Sequence, residues 1–315
     1  MSMATERARG RLFQRPEKAR PIHITSRDVA LMTNVARLRL ASAAQLSALD
    51  GGSQQNVERA LLALWENEYL ERPEAQAVSR KRENGSRSLI YGLTRKGAGY
   101  LRRQGFDMQR RLLDGIDKER GAGWRFIEHS VGISEFFVRL ELAARKRKNL
   151  RILERSEILE DAPKSRQGRK VRLAASIRLG GVQKKNAVVP DGFFGLRFLE
   201  EEQESYFMYE KDRGEMPIER RKNLQGTYIA KKLLTYYEAS RQQQHVHELG
   251  IPNFRVLVET TTPERVEQML DAVDKITDGK GSNIFLFIDE RALSTSDPLA
   301  ASWISGKRLP IRLTD

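Results

Sequence analysis

The sequence contains no cysteine, and that one absence removes disulfides, thiolate metal sites and a cysteine nucleophile together. A cytoplasmic location is the expectation it suits. Histidine is almost as scarce, at four residues, so imidazole metal sites have little to draw on. His245 and His247 lie in a Gln-rich polar stretch, residues 242–248, that reads as a solvated loop or helix end. No apolar run reaches the length of a membrane span and the N-terminus lacks an apolar signal core, so no membrane partner is expected. Gly180-Gly181 and Gly279-Lys280-Gly281 lack the strand-to-helix setting of a phosphate-binding loop and read as turns, which argues against an ATP-driven activity. No internal repeat is visible.

Positive charge is what the chain has in excess. Lys and Arg total 56 against 42 Asp and Glu, a net charge of +14 with a pI near 10.0, over 315 residues. That balance favours a polyanionic partner, and the length accommodates two domains. Residues 1–120 hold 23 basic and 14 acidic side chains, a net +9 that leaves +5 for the remainder. Residues 1–24 carry Arg7, Arg9, Arg11, Arg15, Lys18 and Arg20 without periodicity and are expected to form a flexible basic arm.

From residue 25 the signals are helical. Thr25 or Ser26 opens a first helix, with Asp28 placed as in a capping box and Val29, Met32, Val35 and Ala36 facing inward. Ser42 caps a second, running through Leu46 to Leu49. Gly51-Gly52 breaks the chain, and Ser53 opens a third that buries Val57, Leu61, Leu64 and Trp65. Two strands follow, residues 69–72 and 89–93, the second with Leu89, Tyr91 and Leu93 alternating. They flank a basic segment, residues 79–87, whose Asn84-Gly85 is a turn signal. Thr94 then caps another helix through Ala98 and Leu101. Three helices followed by a basic hairpin resemble a winged helix-turn-helix, expected over residues 25–110. The resemblance implies double-stranded DNA as partner. The third helix would present Gln54, Gln55, Asn56 and Arg59 to base edges, and Arg80, Lys81, Arg82 and Arg87 would meet phosphate. A helix-turn-helix reader of palindromes would act as a homodimer, though no heptad pattern marks a seam. Winged helices also bind protein, so these side chains have a plain solvated reading as well.

Residues 111–123 form a polar linker, and a second domain is expected over residues 124–315. It opens with an amphipathic helix carrying Ile127, Val131, Ile133, Phe137, Leu140 and Ala144. Strands are expected over residues 151–156, 171–179, 187–196, 205–212, 254–260 and 284–288. Pro217 is expected to start a helix running through Leu224, Tyr228, Leu233 and Tyr236, and residues 263–276 another. The order implies an α/β domain with a mixed sheet, making the chain α+β overall. Asp191 sits at a break in one strand, while Glu210 and Asp212 share one face of the next. If those strands are neighbours the carboxylates converge, as magnesium or manganese requires.

Pro190-Asp191, then Glu210-Lys211-Asp212, then a helix, resembles the PD-(D/E)xK nuclease core of restriction-endonuclease-like domains. The resemblance implies a Mg2+ or Mn2+ ion on Asp191 and Glu210. The lysine normally found two residues after the second acid is replaced by Asp212, and variants of the superfamily that move it to the next helix direct attention to Lys231 and Lys232. Arg221, Gln225, Tyr228 and Lys232 fall on one helical stripe. Glu128, Glu135 and Glu141 are candidates for a further acid. The Tyr-Gly-Leu-Thr-Arg-Lys-Gly stretch, His129, Val-Pro-Asp-Gly, and Tyr-Glu-Lys-Asp-Arg-Gly-Glu-Met-Pro with a Lys-Lys-Leu-Leu-Thr-Tyr helix together resemble the replication-relaxation family. That resemblance implies work on plasmid or integrative-element DNA alongside replication or mobilisation proteins. Two readings stay open: a metal-dependent endonuclease or nickase, and a non-catalytic DNA-binding replication accessory or transcriptional regulator.

Overall fold

The expected capping residues mark where the first helices begin. In the computed structural model, which describes residues 12–77, 87–106, 116, 121–160, 162–164, 167, 169–219 and 228–314, Thr25 and Asp28 form the reciprocal box. The Asp28 carboxylate accepts the Thr25 amide at 2.9 Å and Thr25 Oγ1 accepts the Asp28 amide at 3.3 Å. Helix α1 (Ser26–Leu38) follows and buries Leu31, Met32 and Val35. After β1 (Leu40–Ser42), Ser42 and Gln45 make a second box opening α2 (Ala43–Asp50), which Gly51 ends at φ 72°. Helix α3 (Gln54–Glu66) buries Val57, Leu61, Leu64 and Trp65, the four residues its periodicity selects.

Strands β2 (Leu70–Glu71) and β3 (Ile90–Leu93) pair antiparallel, and β1 adds to the other edge of β3. Thr94 caps α4 (Arg95–Arg103) by accepting the Gly97 amide at 3.0 Å, and its hydroxyl donates to the Glu68 carbonyl at 2.6 Å. A Cβ on Gly97 would stand 2.3 Å from the Tyr69 carbonyl oxygen, so glycine is required where α4 meets the end of the β2 approach. The Asn84-Gly85 turn lies outside the described residues.

The described part of the expected basic arm, from residue 12 on, is held in place. Arg15 donates to the Trp65 and Leu70 carbonyls at 2.7 and 2.9 Å, Arg72 donates to the Leu12 carbonyl at 2.9 Å, and Asn67 donates to that of Arg20 at 3.0 Å. From Leu12 onward the segment is therefore tied to α3 and β2.

Helix α5 (Trp124–Arg145) is shared between two units, Met1–Val138 and Arg139–Asp315. Its first half belongs to the first unit. Ile127 packs with Leu40 and Ile90, the Ser134 hydroxyl donates to the Leu40 carbonyl at 2.6 Å, and Gln45 donates to Glu135 at 2.9 Å.

The second unit is built on a seven-stranded mixed sheet, so the chain is α+β. It comprises β4 (Leu150–Leu153), β7 (Gly192–Phe198), β8 (Gln203–Lys211), β9 (Arg255–Thr260), β10 (Phe285–Asp289), β11 (Trp303–Ser305) and β12 (Pro310–Ile311), in the order β12-β11-β10-β9-β8-β7-β4. Strands β8, β9 and β10 are parallel and the other pairings antiparallel. Phe285, Leu286, Phe287 and Ile288 are buried as a continuous run, as suits a strand covered on both faces. Among the described residues the second unit also has helices α6 (Arg155–Ile158), α7 (Ile229–Arg241), α8 (Gln244–Leu249), α9 (Pro263–Ile276) and α10 (Glu290–Ser294).

Two expectations are corrected. The strand expected over residues 187–196 is two strands: β6 (Val182–Val188) pairs with β5 (Leu173–Leu179) in a separate hairpin, and residues 189–191 lead into β7. Pro217 does not start a helix. Its carbonyl accepts the Ile229 amide at 3.1 Å and that of Ile218 accepts the Ala230 amide at 2.9 Å, so this segment satisfies the open donors at the start of α7. Helix α7 packs on β5, and its buried residues share one continuous core with Ala175 and Ile177 of β5 and with Met208 and Val256 of the main sheet. Among the described residues no helix is long and apolar enough to cross a membrane.

Candidate functional site

The register of β7 on β8 sets Gly192 opposite Tyr209, so one step outward Asp191 comes alongside Glu210. The Lys211 amide donates to Asp191 Oδ2 at 2.9 Å and fixes that carboxylate at the strand end. Glu210 is 6 % exposed and points toward α7. There Lys232 Nζ lies 2.6 Å from its Oε2, and the Tyr236 hydroxyl donates to its Oε1 at 2.5 Å. Lys232 and Tyr236 are four residues apart, hence one turn apart on the same helical face.

Burial pushes the Glu210 carboxyl up to about 7; the Lys232 ammonium pulls it down, and the neighbouring charge of Asp191 pushes it up again. Burial alone would lower the Lys232 ammonium, but Glu210 and Asp191 overcome that and hold it above the usual lysine range. Burial, reinforced by Glu210, pushes the Tyr236 phenol well up. The site thus keeps two carboxylates together against their repulsion, with a fixed cation and a neutral donor beside the more buried one.

Asp212 does not join them. Strand β8 ends at Lys211, and the Asp212 carboxylate accepts from Arg265 Nε, Arg265 Nη2 and the Thr260 hydroxyl. Its charge still reaches Lys232, but its oxygens are held by Arg265 of α9 and Thr260 of β9. Lys231 also departs. One residue along a helix turns the side chain by about 100°, and Lys231 lines a cleft against the β5–β6 hairpin. Arg221 and Gln225 lie outside the described residues. On the opposite face of β8, Lys211 Nζ pairs with Glu259 at 2.5 Å and Glu290 at 2.8 Å, and the Tyr209 hydroxyl donates to Glu259.

The further acids have other partners: Glu128 stands 3.7 Å from Arg87, Glu135 accepts from Gln45, and Glu141 pairs with Arg145. His129 lies on the half of α5 belonging to the first unit. His245 is buried beside Phe254 with Nε2 3.1 Å from the Pro252 carbonyl oxygen, and burial lowers its pKa. Among the described residues no three His, Cys, Asp or Glu side chains gather as a metal-ligand group. At Glu210 both carboxylate oxygens have protein donors, Lys232 and Tyr236.

In the first unit Gln54, Gln55, Asn56 and Arg59 are all exposed on the first turns of α3, with Arg59 donating to Asn56 at 2.7 Å. Arg87 lies over the Trp124 ring at 5.3 Å from its centroid, besides its contact with Glu128. Arg80, Lys81 and Arg82 lie outside the described residues.

The replication-relaxation family model matches residues 32–254. The chain belongs to the replication-relaxation family. The matched region of this replication-relaxation protein takes in the exposed turn of α3, Asp191, Glu210, Lys232 and Tyr236, and stops before Arg265. No curated protein and no solved structure matches the chain. Sequence reasoning placed Tyr236 in the core and gave it no role; its spacing from Lys232 was the available signal. Arg265, as the partner that neutralises Asp212, had no local signal, since 53 residues separate the two.

Proposed function

We infer that this replication-relaxation protein processes plasmid or integrative-element DNA, with a winged helix-turn-helix in its first unit and a restriction-endonuclease-like phosphodiesterase site in its second. The single observation that carries the catalytic reading is the contact of Lys232 with Glu210 beside Asp191. It supplies from a helix the lysine that the Glu210-Lys211-Asp212 run lacks. The exposed Gln54, Gln55, Asn56 and Arg59 support base-edge recognition by α3, and the excess of positive charge supports a polyanionic substrate.

Asp191 and Glu210 would hold Mg2+ or Mn2+. Such an ion, when bound, stabilises charge on the phosphoryl oxygens and makes bound water a better nucleophile. The Lys211 amide keeps Asp191 oriented, and Tyr236 keeps Glu210 from rotating away. Lys232, whose side chain is 28 % exposed, offers its ammonium to the negative charge that builds at phosphate.

A second reading rests on the same contacts. Both Glu210 oxygens already have donors, so a DNA-binding accessory or regulator with a closed, metal-free site is also supported. Calorimetric titration with Mn2+ separates the two. The catalytic reading expects binding that Asp191→Ala abolishes, whereas no heat of binding in the wild-type protein, with duplex binding intact, selects the accessory.

A further inference from the structure

The β5–β6 hairpin and α7 enclose an open cleft of about 410 Å3, lined by Ile177, Leu179, Val182, Lys184, Lys185 and Lys231 among others. Its walls are fixed rather than loosely apposed. Ser176 of β5 exchanges two hydrogen bonds with the Gln242 side chain at the end of α7, at 3.0 and 2.9 Å. Asn186 of β6 donates to Thr235 of α7 at 2.8 Å. The floor is aliphatic and the rim is cationic, with Lys184 and Lys185 both exposed on β6. Among the described residues no carboxylate forms an ion pair with Lys184 or Lys185, whereas Lys232 and Lys211 of the same unit are each held by one.

We propose that this cleft binds the phosphodiester backbone of a nucleic-acid strand, as a second contact separate from α3. Lys184, Lys185 and Lys231 all line one volume, and lysine acts toward phosphate as a point charge with freely rotating donors. Base-edge readers are missing from the rim: Asn186 is committed to Thr235, and Gln183 donates to Ser176 at 2.8 Å. The contact is therefore indifferent to sequence and sensitive to salt. The proposal rests on the DNA-processing reading for its substrate class, but not on the site being catalytic.

The test uses the full-length chain. Fluorescence anisotropy across a KCl series measures binding of a duplex and of a single-stranded oligonucleotide, each in two unrelated sequences. The double variant Lys184→Ala/Lys185→Ala should flatten the log–log salt slope by about 1 to 2, since each phosphate contact contributes about 0.7 to 0.9. The loss should be equal for both sequences, and comparing the two oligonucleotides identifies which form the cleft holds. A photoreactive amino acid at Val182, which is 55 % exposed, should cross-link the bound strand, and this readout stands if the lysine variant misfolds. An unchanged slope in a folded variant, or no cross-link at Val182, overturns the proposal. Asp191→Ala serves as the control: if it blocks nicking and leaves the slope unchanged, the two sites are independent. A slope change in a protein that cuts nothing leaves the cleft standing and removes only the catalytic reading.

Discussion

Glu210 is the residue on which most depends, because its carboxyl is raised to about 7 by burial while an ammonium and a phenol hold it in place. A group whose folded pKa lies above its unfolded value favours the fold in its protonated form. The stability it contributes is fully present below about 4.5 and is lost as pH rises through about 7. Thermal melts of the metal-free protein from pH 5 to 8 should therefore show a decline that Glu210→Gln removes; an unaltered pH profile in that variant contradicts the assignment. Lys232→Met strips a buried carboxylate of its counter-charge. With the ammonium partly exposed, the cost at pH 8 should be about 1–3 kcal/mol, below the about 3–5 kcal/mol of a fully buried pair. Urea unfolding of that variant beside Asp212→Asn distinguishes the Lys232–Glu210 pair from the Arg265–Asp212 pair. The second change should cost stability through Arg265 and leave any Mn2+ binding at the proposed Asp191–Glu210 site intact, because Asp212 is held by Arg265 of α9.

At the scale of elements, the fold is legible where local signals are strong. The box at Thr25, the cap at Ser42, the four-residue stripe of α3 and the apolar run of β10 were readable from spacing and capping chemistry alone, whereas the Gln45 side of the second box was not. Helix α7 was misread at its start because Pro217 suits a first helical turn, yet its carbonyl instead serves the α7 amides from across a long connection. The short strands β11 and β12 carry too few residues for a period. The site was half legible: alternation placed Glu210 and the Pro-Asp break placed Asp191, but choosing Lys232 over Lys231 required the rotational setting of α7, which no neighbouring residue reveals. The stretch joining β3 to α4 makes its own prediction. Gly97→Ala drives a methyl into the Tyr69 carbonyl, and thermal melts should show a loss of at least about 2 kcal/mol. Thr94→Ala removes a cap and should cost about 1 kcal/mol. Equal, negligible effects at both positions contradict the close approach of α4 to β2.

For the whole molecule, belonging to the replication-relaxation family and carrying a net +14 charge support two separable jobs, recognising DNA and acting on it. Arg59→Ala should lower discrimination between target and non-target duplexes by about 1–3 kcal/mol in competition gel shifts, while non-specific affinity changes little. A uniform loss for every sequence assigns Arg59 to phosphate instead of a base. The most direct measurement of the central claim is conversion of supercoiled element DNA to open circles by the purified protein with Mg2+ or Mn2+. The wild-type protein should nick it, and Asp191→Ala and Lys232→Met should each lower the rate by at least about 100-fold while duplex binding persists. Supercoiled DNA left intact by the wild-type protein, or cut equally well by Asp191→Ala, contradicts a phosphodiesterase site at Asp191, Glu210 and Lys232.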